Sequence, residues 1–563
     1  MKIGEVRRAQ LVTTYGVGAL IAFNDKSYMI AGLDHWTVGE PDVVEPRLSR
    51  RLRVNGFVLP PSDQESKDVP VLRFPVWHSC ADCGLLQEHR SLLEEVRCRS
   101  CEGRLVPSRF VVCCSRGHID DFPFFKWVHA GRERTEAKHK LYMETTGMSA
   151  SLQSILIRCT CGAARSMNGA FAKNAIGKCS GRRPWLGGEP EDCDEIARTL
   201  QRGASNVWFS VVESSLSIPP WSDAVFTVLD RHWTVLKTLR DPVILRNTLS
   251  QMKSVLLSGF ALEDVVEVAL QRQASESGGE DIGDLKIEEY RALCHGYPQD
   301  RGGDFVCIPT GQLSPTVGQF FSRVMLVTRL REVRALRSFT RLLPYAPGAT
   351  YKDRTPLALN PPDWLPAIEV NGEGVFFEFD HHKLGEWESK PETKERASII
   401  HRRYTDTLRQ LDITSDLIVS PRLLLLHTFG HVLINQWALE CGYPAASLRE
   451  RLYVSDEMAG VLLYTATGDS AGSLGGVIGQ AEPNRLENGF REAISRSSWC
   501  SGDPLCIEAD AQGTNSLNLA ACHACVLLPE VSCEINNVFL DRGMLVGWPE
   551  KPKAGFFSGM EEF

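Results

Sequence analysis

"NLAACHACVLLPEVSCEINNVFLDRG", residues 518–543, places Cys522, Cys525 and Cys533 within twelve residues, and "WCSGDPLCIE" just upstream adds Cys500 and Cys506. A Cys-x2-Cys pair folds as a tight knuckle that turns two thiolates to one side, the usual half of a tetrahedral metal site. Cys522 and Cys525 are therefore the anchor pair, and Cys533 with one or both of Cys500 and Cys506 completes the set. Five sulfurs compete for four positions, and spacing alone does not choose among them. His523, inside the knuckle, is expected to face solvent or to donate a hydrogen bond behind a ligand. A segment this short and loop-rich lacks the apolar core to fix itself, so sulfur staples are expected to fix it.

The rest of the chain agrees with a protein of several small cores. It has 563 residues, 43% hydrophobic and 23% charged, which is a globular composition and long enough for several domains. The N-terminal "MKIGEVRRAQLVTTYGVG" has no apolar signal core, and no apolar run reaches membrane-span length, so a cytoplasmic chain with no membrane contact is expected. In a reducing compartment the 18 cysteines are read as metal ligands where clustered and as small buried hydrophobes elsewhere. The formal net charge of −8 excludes a uniformly basic nucleic-acid coat, so any phosphate contact must be local.

The strongest spacing signal is "HSCADCG" followed by "RCRSCEG". Cys80-x2-Cys83 and Cys98-x2-Cys101, fourteen residues apart, predict a zinc ribbon with a closed four-sulfur cage. A second patch holds Cys159, Cys161, Cys179 and Cys193; its spacing is irregular, but its count again suits one zinc, with metal-free loop cysteines as the alternative. Together with the C-terminal five, this gives two or three structural Zn2+ sites. Cys114 and His118 in "RFVVCCSRGHIDDFPF", with Asp120 and Asp121 close by, are read as a buried turn whose polar groups satisfy the backbone, with a ligand set or a nucleophile and its base as the alternatives. His427 and His431 are spaced i, i+4 on an apolar helix where Thr428 takes the place of a catalytic Glu, and they are read as packed core histidines.

The expected fold class is multi-domain α+β, with zinc-ribbon-like modules and a helical middle region. The expected segments are a β-rich 1–75, a zinc-ribbon insert 76–115, an α+β segment 116–221, a helical region 222–345, a connector 346–420 and a cysteine-rich module 421–563. "AIEVNGEGVFFEF" is read as a hairpin turning at Asn371-Gly372. Residues 320–343 are read as a long helix whose Arg323, Arg331, Arg334, Arg337 and Arg341 line one face as a phosphate-binding stripe; an ion-pair face is the alternative. The glycine-rich 465–479 follows a strand and can cradle phosphate. No P-loop, helicase box, GxSxG elbow or Rossmann fingerprint is present, and no catalytic residue is assigned. Glu369, Glu373, Glu378 and Asp380 with Lys383 raise a metal-dependent nuclease as an alternative without the spacing to support it.

Several stretches together resemble one family. "RRAQLVTTYGVGALI", "RFVVCCSRGHIDDFPF", "RGASNVWFSVVESS", "LREVRALRSFTRLLP", "WLPAIEVNGEGVFFEF", "WCSGDPLCIE" and the opening stretch are similar to the DrmB family of the DISARM anti-phage defence system, from near residue 7 to near 545. The C-terminal part also resembles the zinc-binding module of some DNA-repair helicases. The resemblance implies an accessory subunit that pairs with a separate DISARM helicase and helps engage invading DNA; a nuclease component or a pure scaffold are the alternatives. It gives a role only to Cys500, Cys506, Cys522, Cys525 and Cys533. The doublet Cys113-Cys114 departs from the family pattern, which argues against a metal or redox role there.

Overall fold

Two long neighbouring strands organise the molecule. The computed structural model describes residues 2–560 apart from 63–67, 93–95, 131–138, 146–150, 231, 253–259, 278–283, 299–302, 345–348, 351–354, 411–412, 466–475 and 514–515. Its central sheet has seven strands: β1 (Gly56–Val58), β2 (Phe209–Leu216), β3 (Val306–Pro309), β4 (Phe321–Thr340), β5 (Trp364–Phe379), β6 (Leu448–Val454) and β7 (Ala459–Thr465). Their order is β2-β4-β5-β7-β6, all antiparallel, with β3 added to β4 and β1 lying parallel to β5.

Residues 321–340 are thus a strand and not the expected helix. In its first half the side chains alternate between two cores, and Val333, Ala335, Leu336 and Phe339 of its second half enter a third. Val324 joins Phe321, Val375, Phe377 and Val461 on one face, while Met325 and Val327 join Phe376, Leu462 and Tyr464 on the other. A strand buried on both faces loses the apolar–polar alternation that marks a strand in sequence. The expected hairpin at Asn371-Gly372 is likewise absent. β5 runs straight through, with Asn371 opposite Arg331 and Gly372 opposite Leu330, at a register shift between Val327 and Leu330. The glycines serve close approach instead of a turn: a Cβ on Gly372 would lie 2.6 Å from Thr465 O, and one on Gly374 would lie 2.6 Å from Leu463 O.

The four longest helices packed on this body, among the described residues, are α1 (Leu285–His295), α2 (Pro391–Gln410), α3 (Pro421–Cys441) and α4 (Pro483–Ser497). The third begins as the sequence suggests, with Pro421 in the first turn and Ser420 Oγ accepting the Leu423 N–H at 3.2 Å, and it ends at left-handed Gly442. It is buried on nearly every side and forms the spine of the largest core. Helices between Ala224 and Ser277 pack into a separate core. A six-stranded sheet between Trp77 and Ser166 and a three-stranded sheet between Phe110 and Gln201 carry the N-terminal cysteine clusters.

The mixed α+β class therefore stands. The central sheet takes strands from five of the six expected segments, all but 76–115. The glycine-rich stretch 465–479 lies mostly outside the described residues. Among the described residues, no helix is long and apolar enough to cross a membrane.

Candidate metal centres and the central groove

Tetrahedral zinc with sulfur arms of about 2.3 Å has sulfur–sulfur edges of about 3.8 Å. All cysteines are free thiols, and the clusters match that edge length. Cys80 Sγ lies 3.4 Å from Cys101 Sγ, and Cys83 Sγ lies 3.6 Å from Cys98 Sγ. The two knuckles sit at the ends of short strands, and Gly84, with φ of 72°, allows the first to turn. Cys83 N–H and Ser100 N–H approach the sulfurs of Cys80 and Cys98 at 3.5 and 3.4 Å, which favours thiolate.

The C-terminal cluster resolves the choice that spacing left open. Cys500, Cys506, Cys522 and Cys525 converge, with Sγ–Sγ distances of 3.5 Å (500 to 522), 3.8 Å (506 to 525) and 3.6 Å (522 to 525). Cys533 stands apart, its Sγ 3.2 Å from His427 Nε2. The tail of the opening stretch braces this cluster. Asp503 accepts the Cys500 N–H at 2.8 Å and the Ile507 N–H at 3.0 Å, and the fully buried Arg542 pairs with it. Asp541 in turn holds Arg396 through both carboxylate oxygens, at 2.5 and 2.9 Å.

The second expected patch does not form one site; its four cysteines divide between two clusters. Cys179 and Cys193 meet Cys114 and His118, and Cys159 and Cys161 meet His129 and His139, the ligand atoms of each group lying within 4.8 Å of one another. The Cys114–His118 turn, read from sequence as a buried turn, supplies half of the first group. His118 Nδ1 lies 3.3 Å from Cys114 Sγ, and its Nε2 lies 2.5 Å from Glu191 Oε1. A carboxylate behind the ring holds the proton on Nε2 and leaves Nδ1 as a donor atom. In the other group His129 Nε2 is 3.3 Å from Cys161 Sγ and His139 Nδ1 is 3.2 Å from Cys159 Sγ; His129 Nδ1 is held by Phe125 O at 2.9 Å. The histidines were missed because they lie far from their cysteines in sequence. The one available hint was that a bare Cys-x-Cys needs two more ligands.

The five arginines expected as a stripe occupy the central strand or its end, and protein groups engage each of them. Arg323 pairs with Glu378 at 2.6 Å, Arg331 with Glu369, Arg334 with Glu332 at 2.6 Å and Arg337 with Glu213. Arg341 is 1% exposed and donates to the carbonyls of Gly117, Val207 and Gly18 at 2.8, 2.6 and 2.9 Å. Burial lowers its guanidinium pKa to about 10. Burial alone would raise the Glu332 carboxyl, but Arg334, Arg449 and Arg451 more than offset it and hold it at about 2. Of the acids considered for a nuclease, Glu369 and Glu378 are partners in these pairs and Asp380 caps a helix through the Lys383 N–H at 2.8 Å. Among the described residues they do not gather into a metal cluster.

A groove of about 1940 Å³ runs between the N-terminal segment, β2, β5 and the loop after Pro529. Arg7, Arg8, Arg202 and Arg449 line it together with Trp208 and Tyr443. Among the described residues Arg7, Arg8 and Arg202 form no ion pair, whereas the charge of Arg449 acts on the buried Glu332, and burial lowers the pKa of Arg202.

Comparison with known proteins agrees with this layout. Residues 7–209 match a domain of unknown function (DUF8724), and residues 429–526 match the MrfA Zn-binding domain. The chain is 31% identical over 563 residues to the DISARM protein DrmB of Bacillus paralicheniformis, covering 95% of this chain and 99% of that protein. The zinc-binding match holds Cys500, Cys506, Cys522 and Cys525 and stops before Cys533. The expectation of structural zinc stands, with more clusters than the two or three anticipated.

Proposed function

The chain belongs to the DrmB family of DISARM proteins, and from that premise we propose that it is a zinc-stabilised, non-catalytic subunit of an anti-phage complex that pairs with a helicase and helps bind invading DNA. The observation that carries the DNA reading is the groove. Arg7, Arg8 and Arg202 line it without carboxylate partners among the described residues, so their charge is available to phosphates. Trp208 and Tyr443 on its walls suit stacking on unpaired bases. On this reading DNA runs along the groove and not over the expected arginine stripe, whose members already have protein partners. The zinc clusters act as staples: with four protein ligands each they leave no open coordination position, and they lock loop-rich modules that have little core of their own.

The test is DNA binding by the purified chain, alone and with its helicase, over a range of salt. Arg7→Glu with Arg8→Glu should weaken binding and reduce the salt slope by about 0.7–0.9 for each phosphate no longer neutralised. Unchanged affinity and slope in that variant and in Arg202→Glu would remove the groove from the DNA path.

A further inference from the structure

Cys533, set aside by the four-sulfur cluster, has company of its own. His427 and His431 on α3, Glu450 on β6 and Cys533 bring one ligand atom each within 4.8 Å of the others. His427 Nε2 is 3.2 Å from Cys533 Sγ and 3.0 Å from Glu450 Oε1, and His431 Nε2 is 3.3 Å from Glu450 Oε1. Both histidines and the glutamate are 0% exposed and the cysteine is 5% exposed.

The hydrogen bonds behind the ligands fix which atoms face inward. His427 Nδ1 contacts Phe539 O at 3.2 Å and His431 Nδ1 contacts Val526 O at 3.0 Å. A carbonyl only accepts, so each Nδ1 carries its proton, and a neutral ring then presents the Nε2 lone pair to the centre. The atoms it meets there, a carboxylate and a sulfur, are electron-rich as well. His431 Nε2 and Glu450 Oε2 have no hydrogen-bond partner, although both are buried. Converging lone pairs in a dry interior are unfavourable unless a cation sits among them.

Two further features fit such a cation. Gly430 sits in the interior of α3, where glycine is unfavourable. A Cβ there would lie 2.7 Å from Glu450 Oε2, so the glycine makes room for the carboxylate. The Asn537 N–H points at Cys533 Sγ at 3.1 Å, as backbone donors do toward bound thiolates. One thiolate and one carboxylate also balance a divalent charge, so the filled site is neutral in the core.

We infer that His427, His431, Glu450 and Cys533 form a fully buried zinc site, separate from the four-cysteine cluster, that ties α3 to β6 and to the loop after the cysteine module. Two imidazoles, one carboxylate and one thiolate suit a borderline divalent cation, and four protein ligands make the site structural. The site also gives the i, i+4 histidine pair a purpose beyond core packing.

The direct experiment is crystallography of the full chain at the zinc absorption edge, which needs no variant. An anomalous peak within bonding distance of His427 Nε2 and Glu450 Oε1, in addition to the peak at the four cysteines, is the expected result. A filled four-cysteine site with no anomalous density among the histidines overturns the inference. In parallel, metal analysis of Glu450→Gln and Gly430→Ala should show one zinc fewer per chain than the parent, with the other sites retained. Parental zinc content in both soluble variants also overturns it.

Discussion

Replacing Arg341 with Met separates the present account from one in which this arginine touches DNA. Arg341 joins three distant segments by donating to the carbonyls of Gly18, Gly117 and Val207, while its guanidinium lies over Phe339 and Trp185 at 4.7 and 5.3 Å from the ring centroids. Methionine fills similar volume but offers no donor. Three buried carbonyls losing their partner cost about 1–3 kcal/mol each. Against this, removing the buried charge returns something: a fall of the guanidinium pKa from 12.5 to about 10 corresponds to about 3 kcal/mol of desolvation. The difference leaves Arg341→Met destabilised by about 3 kcal/mol, or a factor of roughly 150 in a local opening constant. The suitable assay is amide hydrogen exchange read by segment, because a chain with several cores has no single unfolding free energy. Protection should fall in the peptides around residues 18, 117 and 207 and stay at parental levels in the C-terminal core. Unchanged exchange in all three segments, with weakened DNA binding, would refute the structural role argued for this residue.

The remaining expectations concern the buried ion pairs, the metal clusters and the sheet. Glu332 has a depressed folded-state pKa of about 2 against 4.5, so the stability it contributes is present above pH 4.5 and is lost as pH falls toward 2; Glu332→Gln should cost about 3 kcal/mol at pH 7, and segment-resolved hydrogen exchange along β4 should show that deficit shrinking below pH 4.5. The double variant Cys159→Ser/Cys179→Ser should lose two zinc ions per chain by metal analysis, since its cysteines belong to different clusters; loss of one would restore the single-site reading. Gly374→Val places a side chain against Leu463 O and Tyr464 and should destabilise the β5–β7 pairing by about 1–3 kcal/mol, seen as faster exchange along both strands.

What could be read in the sequence follows how local each signal was. Cys80, Cys83, Cys98 and Cys101 form a local pattern, and the structure groups them as their spacing suggests. Helix α3 was legible from Pro421 to Gly442 because its capping residues act within one turn. The pair β4–β5 was not, for two reasons. Burial on both faces erased the alternation of β4, leaving arginines three and four apart to mimic a helix face, and Asn371-Gly372 carried a turn signal at a site of strand crowding. The histidine ligands were out of reach for a different reason. His118 meets Cys179 and Cys193, and His427 meets Cys533, only after distant elements pack, and spacing rules see only neighbours. Glu450 carried no signal, because nothing in "LRERLYV" distinguishes a buried glutamate from a surface one.

The claim that matters most is that this chain works as a subunit of a defence complex. The direct measurement is affinity purification of the tagged chain from its native host at moderate salt, with and without nuclease treatment. The account predicts a stoichiometric helicase that stays bound after nuclease. A chain that emerges alone, or a helicase that is lost when the DNA is digested, would contradict it.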